Sequence, residues 1–451
     1  MTVAAGGARS VQANFAYSFL GNLVAPVTAL VTAPILARGL DTSGRGELAA
    51  ATAPLLLATA VGGFGVPESL IYHVARIRRS EAGLVRASAA LIAVMGSVVA
   101  VAVFLLAGPL SRDQAGHTNP LLSDLIRLSA AAVLPTLLLL IPRSIAAGRH
   151  EWRLLAVERG LFGAIRLVWI IGLAVTSTLT PRSATIALLL SPLVSGLVLI
   201  PGSIRYLREP ASSLNHVQAE SPWRSIPHYG FRVWLGALSG IVLTRVSQVV
   251  MVPLSNEHQT GLFAVAVTIG ELPLIVSGAV RDVMFSAESA AGDPARLQQA
   301  ARVTTFLTLG VGIGLGVTMV WWLPMVFGRD FAPAFWPALV VLAATVVGST
   351  GSVAGAGLGG RGRPGLRSWS MFVAAIANVL VLVVATPQVG AMGGSLAMLA
   401  GSTVAGTLCV LWLDRRFGIP MRGFYGIRRD DIDQLRRLAG LVLARLVPAR
   451  V

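Results

Sequence analysis

Seven ionisable side chains stand inside long apolar stretches of the chain: Glu68, Arg127, Glu158, Arg159, Arg166, Arg245 and Glu271. A charge at the centre of a membrane-spanning helix costs at least about 2.5 kcal/mol on insertion, so such residues face a wet cavity or one another and mark the path of a substrate. Arg166 and Arg245 are the most central. Together with Glu271 they read as cavity residues, with an internal Arg–Glu ion pair as the competing reading. Glu68 follows Pro67, where a carboxylate serves a kinked backbone equally well. Arg127, Glu158, Arg159 and Arg232 lie near helix ends, where a charged side chain can snorkel to the headgroups. Arg45, between Gly44 and Gly46, reads as an ordinary loop charge on the outer side. The surplus of arginine over carboxylate predicts an anionic cargo, because guanidinium groups present paired donors that suit phosphate oxygens. Lipid-linked pyrophosphates fit that chemistry.

The residues needed for catalysis are missing from this set. The histidines (His73, His117, His150, His216, His228, His258) lie mostly at helix ends or in joints, and none has a metal-ligand spacing to another. No glycine-rich phosphate loop occurs. Cys409, the single cysteine, has no partner for a disulfide or a thiolate metal site. The joints on the outer side are too short to build an active site. An enzyme is therefore not expected, and neither a metal nor a cofactor is called for.

The elements that position these charges follow from composition. Of 451 residues, 55% are hydrophobic and 12% are charged, where a soluble domain carries roughly 25% charged residues. Runs such as Leu91 to Leu110 and Val303 to Leu323 approach the ~20 residues needed to cross hydrocarbon. Twelve spans are predicted, at 12–38, 46–71, 84–109, 120–148, 153–178, 183–206, 228–254, 261–287, 300–327, 332–358, 364–386 and 389–413. The first lacks a cleavage site and reads as a retained helix. Short joints with turn residues, such as Asp41-Thr42-Ser43-Gly44-Arg45, make neighbouring helices antiparallel.

The chain divides into an N-terminal bundle (1–206), a polar cytoplasmic linker (207–227), a C-terminal bundle (228–413) and a basic tail (414–451). An offset of 215 residues lays Gly46-Glu47-Leu48-Ala49 on Gly261-Leu262-Phe263-Ala264. Six helices per half is even, so the halves share one orientation, as in parallel-repeat transporters. All 36 basic residues other than histidine are arginine. With both termini in the cytoplasm, most of them fall on the cytoplasmic side of the plasma membrane, which is the positive-inside pattern. That pattern, and not nucleic-acid binding, accounts for the net charge of +16. In the tail, Ile432, Leu435, Ala439, Val442 and Leu446 recur at helical spacing beside Arg436, Arg437 and Arg445, which predicts an interfacial helix on anionic lipid headgroups.

Several ordered segments resemble the polysaccharide transporter (oligosaccharide flippase) family of the multidrug/oligosaccharidyl-lipid/polysaccharide flippase superfamily. These are Ala37-Arg38-Gly39-Leu40 to Gly46-Glu47-Leu48, Gly65-Val66-Pro67-Glu68-Ser69-Leu70, Gly261 to Ala266, Val326-Phe327-Gly328-Arg329-Asp330-Phe331, and Asn378 through Gly390 to Ser395. The resemblance covers about 12 to 413. It implies two six-helix bundles in a V around a central cavity, which flip a polyprenyl-(pyro)phosphate-linked oligosaccharide to the outer leaflet by alternating access. It also implies partnership with a glycan polymerase or glycosyltransferases. Many relatives carry an acidic residue shortly after the seventh-helix arginine; Arg245-Val246-Ser247 has serine, which weakens the case for cation coupling there. The signature of the lipid II flippase branch is not visible near the N-terminus. The alternatives are a multidrug exporter of the same superfamily, which would carry more intramembrane carboxylates than arginines, and an integral-membrane glycosyltransferase or ligase, which would need a large outer loop.

Overall fold

The computed structural model describes residues 2–77, 82–208, 222–275, 278, 292–426, 428 and 430–431, with side chains for all of these except 2–20, 22, 76–77, 222–233 and 235. Fourteen α-helices carry the described chain. They are α1 (Thr2–Gly63), α2 (Val66–Ile77), α3 (Ala82–Leu110), α4 (Pro120–Leu138), α5 (Leu140–Gly148), α6 (Trp152–Val175), α7 (Pro181–Gly196) and α8 (Ile200–Arg208), then α9 (Pro222–Leu254), α10 (Glu257–Gly270), α11 (Pro294–Phe327), α12 (Phe335–Gly360), α13 (Pro364–Val389) and α14 (Ala391–Phe417). The only β pairing among the described residues is one bridge, Arg112 to Thr118.

At 62 residues, a straight α1 would be about 93 Å long, roughly three times the hydrocarbon thickness. Asp41 divides it. Its φ of 58° interrupts the helix, and its carboxylate accepts from the Gly44 amide at 2.9 Å, capping a second leg. Among the described residues, nine stretches are long and apolar enough to cross a membrane, and Leu23–Gly63 is one of them although it contains both legs. Counting that stretch twice and adding α6 and α10 gives the twelve spans. The apolar face of α6 is interrupted by Arg153, Glu158, Arg159 and Arg166, and the later part of the span expected over 261–287 lies largely outside the described residues. The protein is an all-α membrane protein with two six-helix bundles. One large core cluster is built mainly from α1 to α5 and includes Leu70, Ile126 and Leu137. A second surrounds Phe263, Phe327 and Phe331. The linker expected over 207–227 lies outside the described residues except at its ends, and α9 begins at Pro222, earlier than the 228 expected.

The halves meet closely at the end that carries Asp41, the 111–119 joint and the start of α10. A Cβ on Gly46 would collide with the Glu257 carbonyl oxygen, and a Cβ on Gly261 would collide with the Thr42 carbonyl oxygen. The pairs 46/261 and 42/257 are both 215 residues apart, so the two contacts exchange under the offset seen in the sequence. That reciprocity is what a two-fold axis between the glycines requires. Around it, Thr42 Oγ1 and His258 Nδ1 are 2.8 Å apart. The Gln114 amide donates to Ser255 O at 3.1 Å. Asn119 Nδ2 donates to Glu47 at 2.8 Å and to Glu257 at 3.2 Å. Arg38 Nε donates to Val326 O at 3.0 Å, and the same guanidinium reaches Met325 O at the C-terminal end of α11.

At the opposite end, the chain after α14 is fixed to the C-terminal bundle. Ile419 and Phe424 are buried. Arg302 of α11 makes two parallel bonds to the Asp431 carboxylate, at 2.7 and 2.8 Å, and a third to Gly423 O at 2.6 Å. The interfacial helix expected after residue 431 lies outside the described residues.

Two predictions follow from these contacts. Gly46→Ala should prevent the two ends from closing. With Cys409 buried, a Thr42→Cys reporter is inert to a polar maleimide in the parent and is labelled severalfold faster in the Gly46→Ala background. Arg302→Ala leaves a buried carboxylate unpaired, at a cost of about 3–5 kcal/mol, so limited proteolysis should cut the tail near Arg422 and Arg428 in the variant and spare the parent. The Arg302 hydrogen bonds hold the Asp431 carboxyl below its ordinary value against the opposing effect of burial. Its contribution is therefore complete above that ordinary value and is lost as pH falls through the lower folded one.

Candidate functional site

Between the halves lies a cavity of about 1350 Å³. Its walls are mostly apolar, from Leu23, Pro26 and Leu36 of α1 to Ala264 and Val267 of α10, with six charged residues among them: Arg45, Glu68, Arg143, Arg166, Arg245 and Glu271. On one side the wall crosses from half to half, where Trp234 Nε1 donates to Ala60 O at 2.8 Å and its ring lies 5.1 Å from that of Phe64.

Each cavity arginine is placed by a different local device. Gly163 lets α6 approach the first leg of α1, where a Cβ would strike Val24 and Thr28. One α6 turn further on, Arg166 donates to Thr32 Oγ1 at 3.2 Å. Arg45 sits in the first turn of the second leg of α1 and lines the same cavity as Arg166. Both residues have a buried Nε without a hydrogen-bond partner, and among the described residues neither has a carboxylate partner. Arg143, on α5, pairs with Glu158 of α6 at 2.5 Å. Glu158 is 2% exposed and also accepts from Ser195 Oγ at 3.3 Å. Arg245, on α9, lies 3.7 Å from the Glu271 carboxylate. Glu68 stands in the first turn of α2, without an ion pair among the described residues.

The structure thus brings Arg166, Arg245, Glu271 and Glu68 to one cavity. It places Arg127 elsewhere: that side chain is exposed, 3.2 Å from Asp124 and over the Phe104 ring. Arg159 packs its stem against Gly21 of α1 and does not line the cavity. Glu158 reaches the cavity only through Arg143. The Arg232 side chain is outside the described residues. Arg45 is corrected from a loop charge to a cavity residue, because the Asp41 cap restarts the helix before it. The Asp-x-x-Gly spacing of Asp41 and Gly44 was the available signal. Arg143, absent from the sequence-based set, was marked only by its place after Pro142 in an apolar run.

The sequence of residues 11–285 matches the family described as polysaccharide biosynthesis protein. No curated protein matches the chain in sequence. Among solved structures, the chain is similar to the lipid II flippase MurJ in an inward closed conformation, with a TM-score of 0.70 at 12% identity, over 96% of this chain and 94% of that one. It is similar to an inward-facing multidrug resistance MATE family transporter of the MOP superfamily, with a TM-score of 0.60 at 16% identity, over 89% of this chain and 94% of that one. A MOP superfamily transporter from Pyrococcus furiosus gives a TM-score of 0.57 at 14% identity, over 89% and 94%. At these identities the likeness is one of fold, and it matches the V-shaped twelve-helix arrangement.

The contrast between the two outlying charges is testable. Glu158→Ala removes a buried carboxylate and its bonds to Arg143 and Ser195 and should cost about 1.5–3 kcal/mol, seen as a clear fall in the melting temperature of the purified protein. Arg127→Ala removes an exposed pair whose worth is about 0–1 kcal/mol and should leave that temperature within a degree or two of the parent.

Proposed function

The chain belongs to the polysaccharide biosynthesis protein family, and from that premise we propose that it flips a polyprenyl-(pyro)phosphate-linked oligosaccharide from the inner to the outer leaflet. It is a membrane transporter and not an enzyme. The observation that carries the choice of cargo is the pair Arg45 and Arg166: two guanidinium groups in a cavity between the halves, with no carboxylate among the described residues to neutralise them. Such a pair is suited to phosphate oxygens, which accept paired charge-assisted hydrogen bonds.

The rest of the cavity supports the same reading. Four arginines against two glutamates leave it positive, which disfavours a cationic drug as cargo. The apolar walls suit the first isoprene units. The closed end, around Gly46 and Gly261, faces outward in this proposal, with both termini in the cytoplasm of a plasma-membrane protein. The moving bodies are then 1–206 and 228–413, joined by the 207–227 linker; the C-terminal body carries the basic tail as far as Asp431 with it, and the arginines beyond would meet anionic headgroups. A glycan polymerase or glycosyltransferases would act before and after the flip. Arginine and phosphate supply binding energy without covalent chemistry, so alternating access needs only that both states accommodate the cargo.

Arg45→Ala and Arg166→Ala are expected to abolish complementation of a flippase-deficient strain while the protein still inserts. Each removes hydrogen bonds to a charged group worth about 1.5–3 kcal/mol. Binding of a polyprenyl diphosphate should accordingly weaken by about one to two orders of magnitude. Full complementation by both variants would refute the anionic-cargo reading.

A further inference from the structure

The two ion pairs of the cavity are built differently. Arg143 and Glu158 are locked at 2.5 Å, with the carboxylate buried and held also by Ser195. Arg245 and Glu271 lie 3.7 Å apart, beyond hydrogen-bond range, and both are open to the cavity at 30% and 28% exposure. Gln248 Oε1, 3.5 Å from the Arg245 guanidinium, is no firmer a partner. The backbone beneath Glu271, in contrast, is held. The Glu271 amide makes the last helical bond of α10, to Val267 O at 2.9 Å. Pro273 has no amide hydrogen with which to continue the helix. The carbonyl of Gly270 is satisfied from α12 by Thr345 Oγ1 at 2.7 Å. A fixed backbone therefore carries a loosely engaged carboxylate.

The placement adds a second point. Arg45 and Arg166 belong to the N-terminal half; Arg245 and Glu271 belong to the C-terminal half. An anion held by all three arginines would tie the halves together. While Glu271 neutralises Arg245, the C-terminal half offers that anion nothing.

We propose that Glu271 is an internal stand-in for the cargo's anion, holding Arg245 in the empty cavity and giving it up when phosphate arrives. Arg245 then completes an anion site spanning both halves only in the loaded protein, and Glu271 sets the affinity by competing for it. The proposal rests on the anionic-cargo reading above and adds a positioning role to it. Glu271 touches Arg245 and not the cargo.

The test measures inorganic pyrophosphate binding to the purified full chain by calorimetry, alongside flipping of a polyprenyl diphosphate in vesicles. Glu271→Gln removes the competitor, so pyrophosphate should bind about tenfold tighter, while flipping slows because release is harder. In the Arg245→Ala background the same change should have no effect on binding. Glu271→Asp keeps the charge but withdraws it from Arg245, and should tighten binding in the same direction, which covers the case in which the glutamine variant does not fold. Unchanged or weaker binding by both Glu271 variants overturns the proposal, as does tightening that persists without Arg245. If Arg166→Ala abolishes binding in either case, the anionic-cargo reading stands by itself. If the parent chain binds no pyrophosphate, both fail.

Discussion

A guanidinium or carboxylate left bare in hydrocarbon is too costly to persist, and this constraint shapes the protein from its helices to its central cavity. Three solutions occur side by side. Arg127 is exposed and meets Asp124, with Phe104 beneath its guanidinium. Glu158 is sealed inside the N-terminal bundle and spends its charge on Arg143. Arg45, Arg166, Arg245 and Glu271 share a cavity between the halves, where water or cargo can reach them. Only the third solution leaves charge free to act, and it does so where the two bundles face one another.

The same constraint applies to the backbone. Every break in a membrane helix frees polar groups that must find partners, and the breaks here are placed where they matter for the cavity. Asp41 interrupts α1 and caps its own continuation, which sets Arg45 in the first turn of the second leg. The end of α10 at Gly270 is satisfied by Thr345, which steadies the residue that follows. Glycine does the complementary work of allowing approach: Gly163 brings α6 onto α1, and Gly46 and Gly261 let the halves touch at one end. Hydrogen bonds from Arg38, Thr42, Gln114 and Asn119 surround that touching point. The closed end therefore combines glycine contact and hydrogen bonds with apolar packing, since Ala33 and Ala37 of α1 join the apolar cluster around Phe263 and Phe327.

The tail segment shows that the membrane part is not the only ordered element. Its bidentate Arg302–Asp431 pair, with Gly423 O as a third partner, is a nearly fully buried arrangement at the end of the C-terminal bundle. Whatever follows Asp431 in the chain therefore starts from a point fixed to that bundle.

Composition and periodicity alone determined that this is a twelve-span helical protein, that its halves repeat with an offset of 215 residues, and that its intramembrane charge is mainly arginine. These are legible because hydrocarbon imposes length and polarity on each segment independently of its neighbours. The sequence also placed Arg166, Arg245, Glu271 and Glu68 as residues that need an explanation. Depth along the helix set Arg166, Arg245 and Glu271 apart from Arg127 and Arg159 near helix ends, but it could not assign a face, since only a helix's packing partners decide which face is the cavity. Arg45 was misread because a single capped residue, Asp41, moved the helix start by a few positions. Arg143 was passed over because its importance comes from Glu158, fifteen residues away in sequence and on another helix. Pairing, burial and the difference between a tight and a loose ion pair are distances between elements, and those are set only when the bundles assemble.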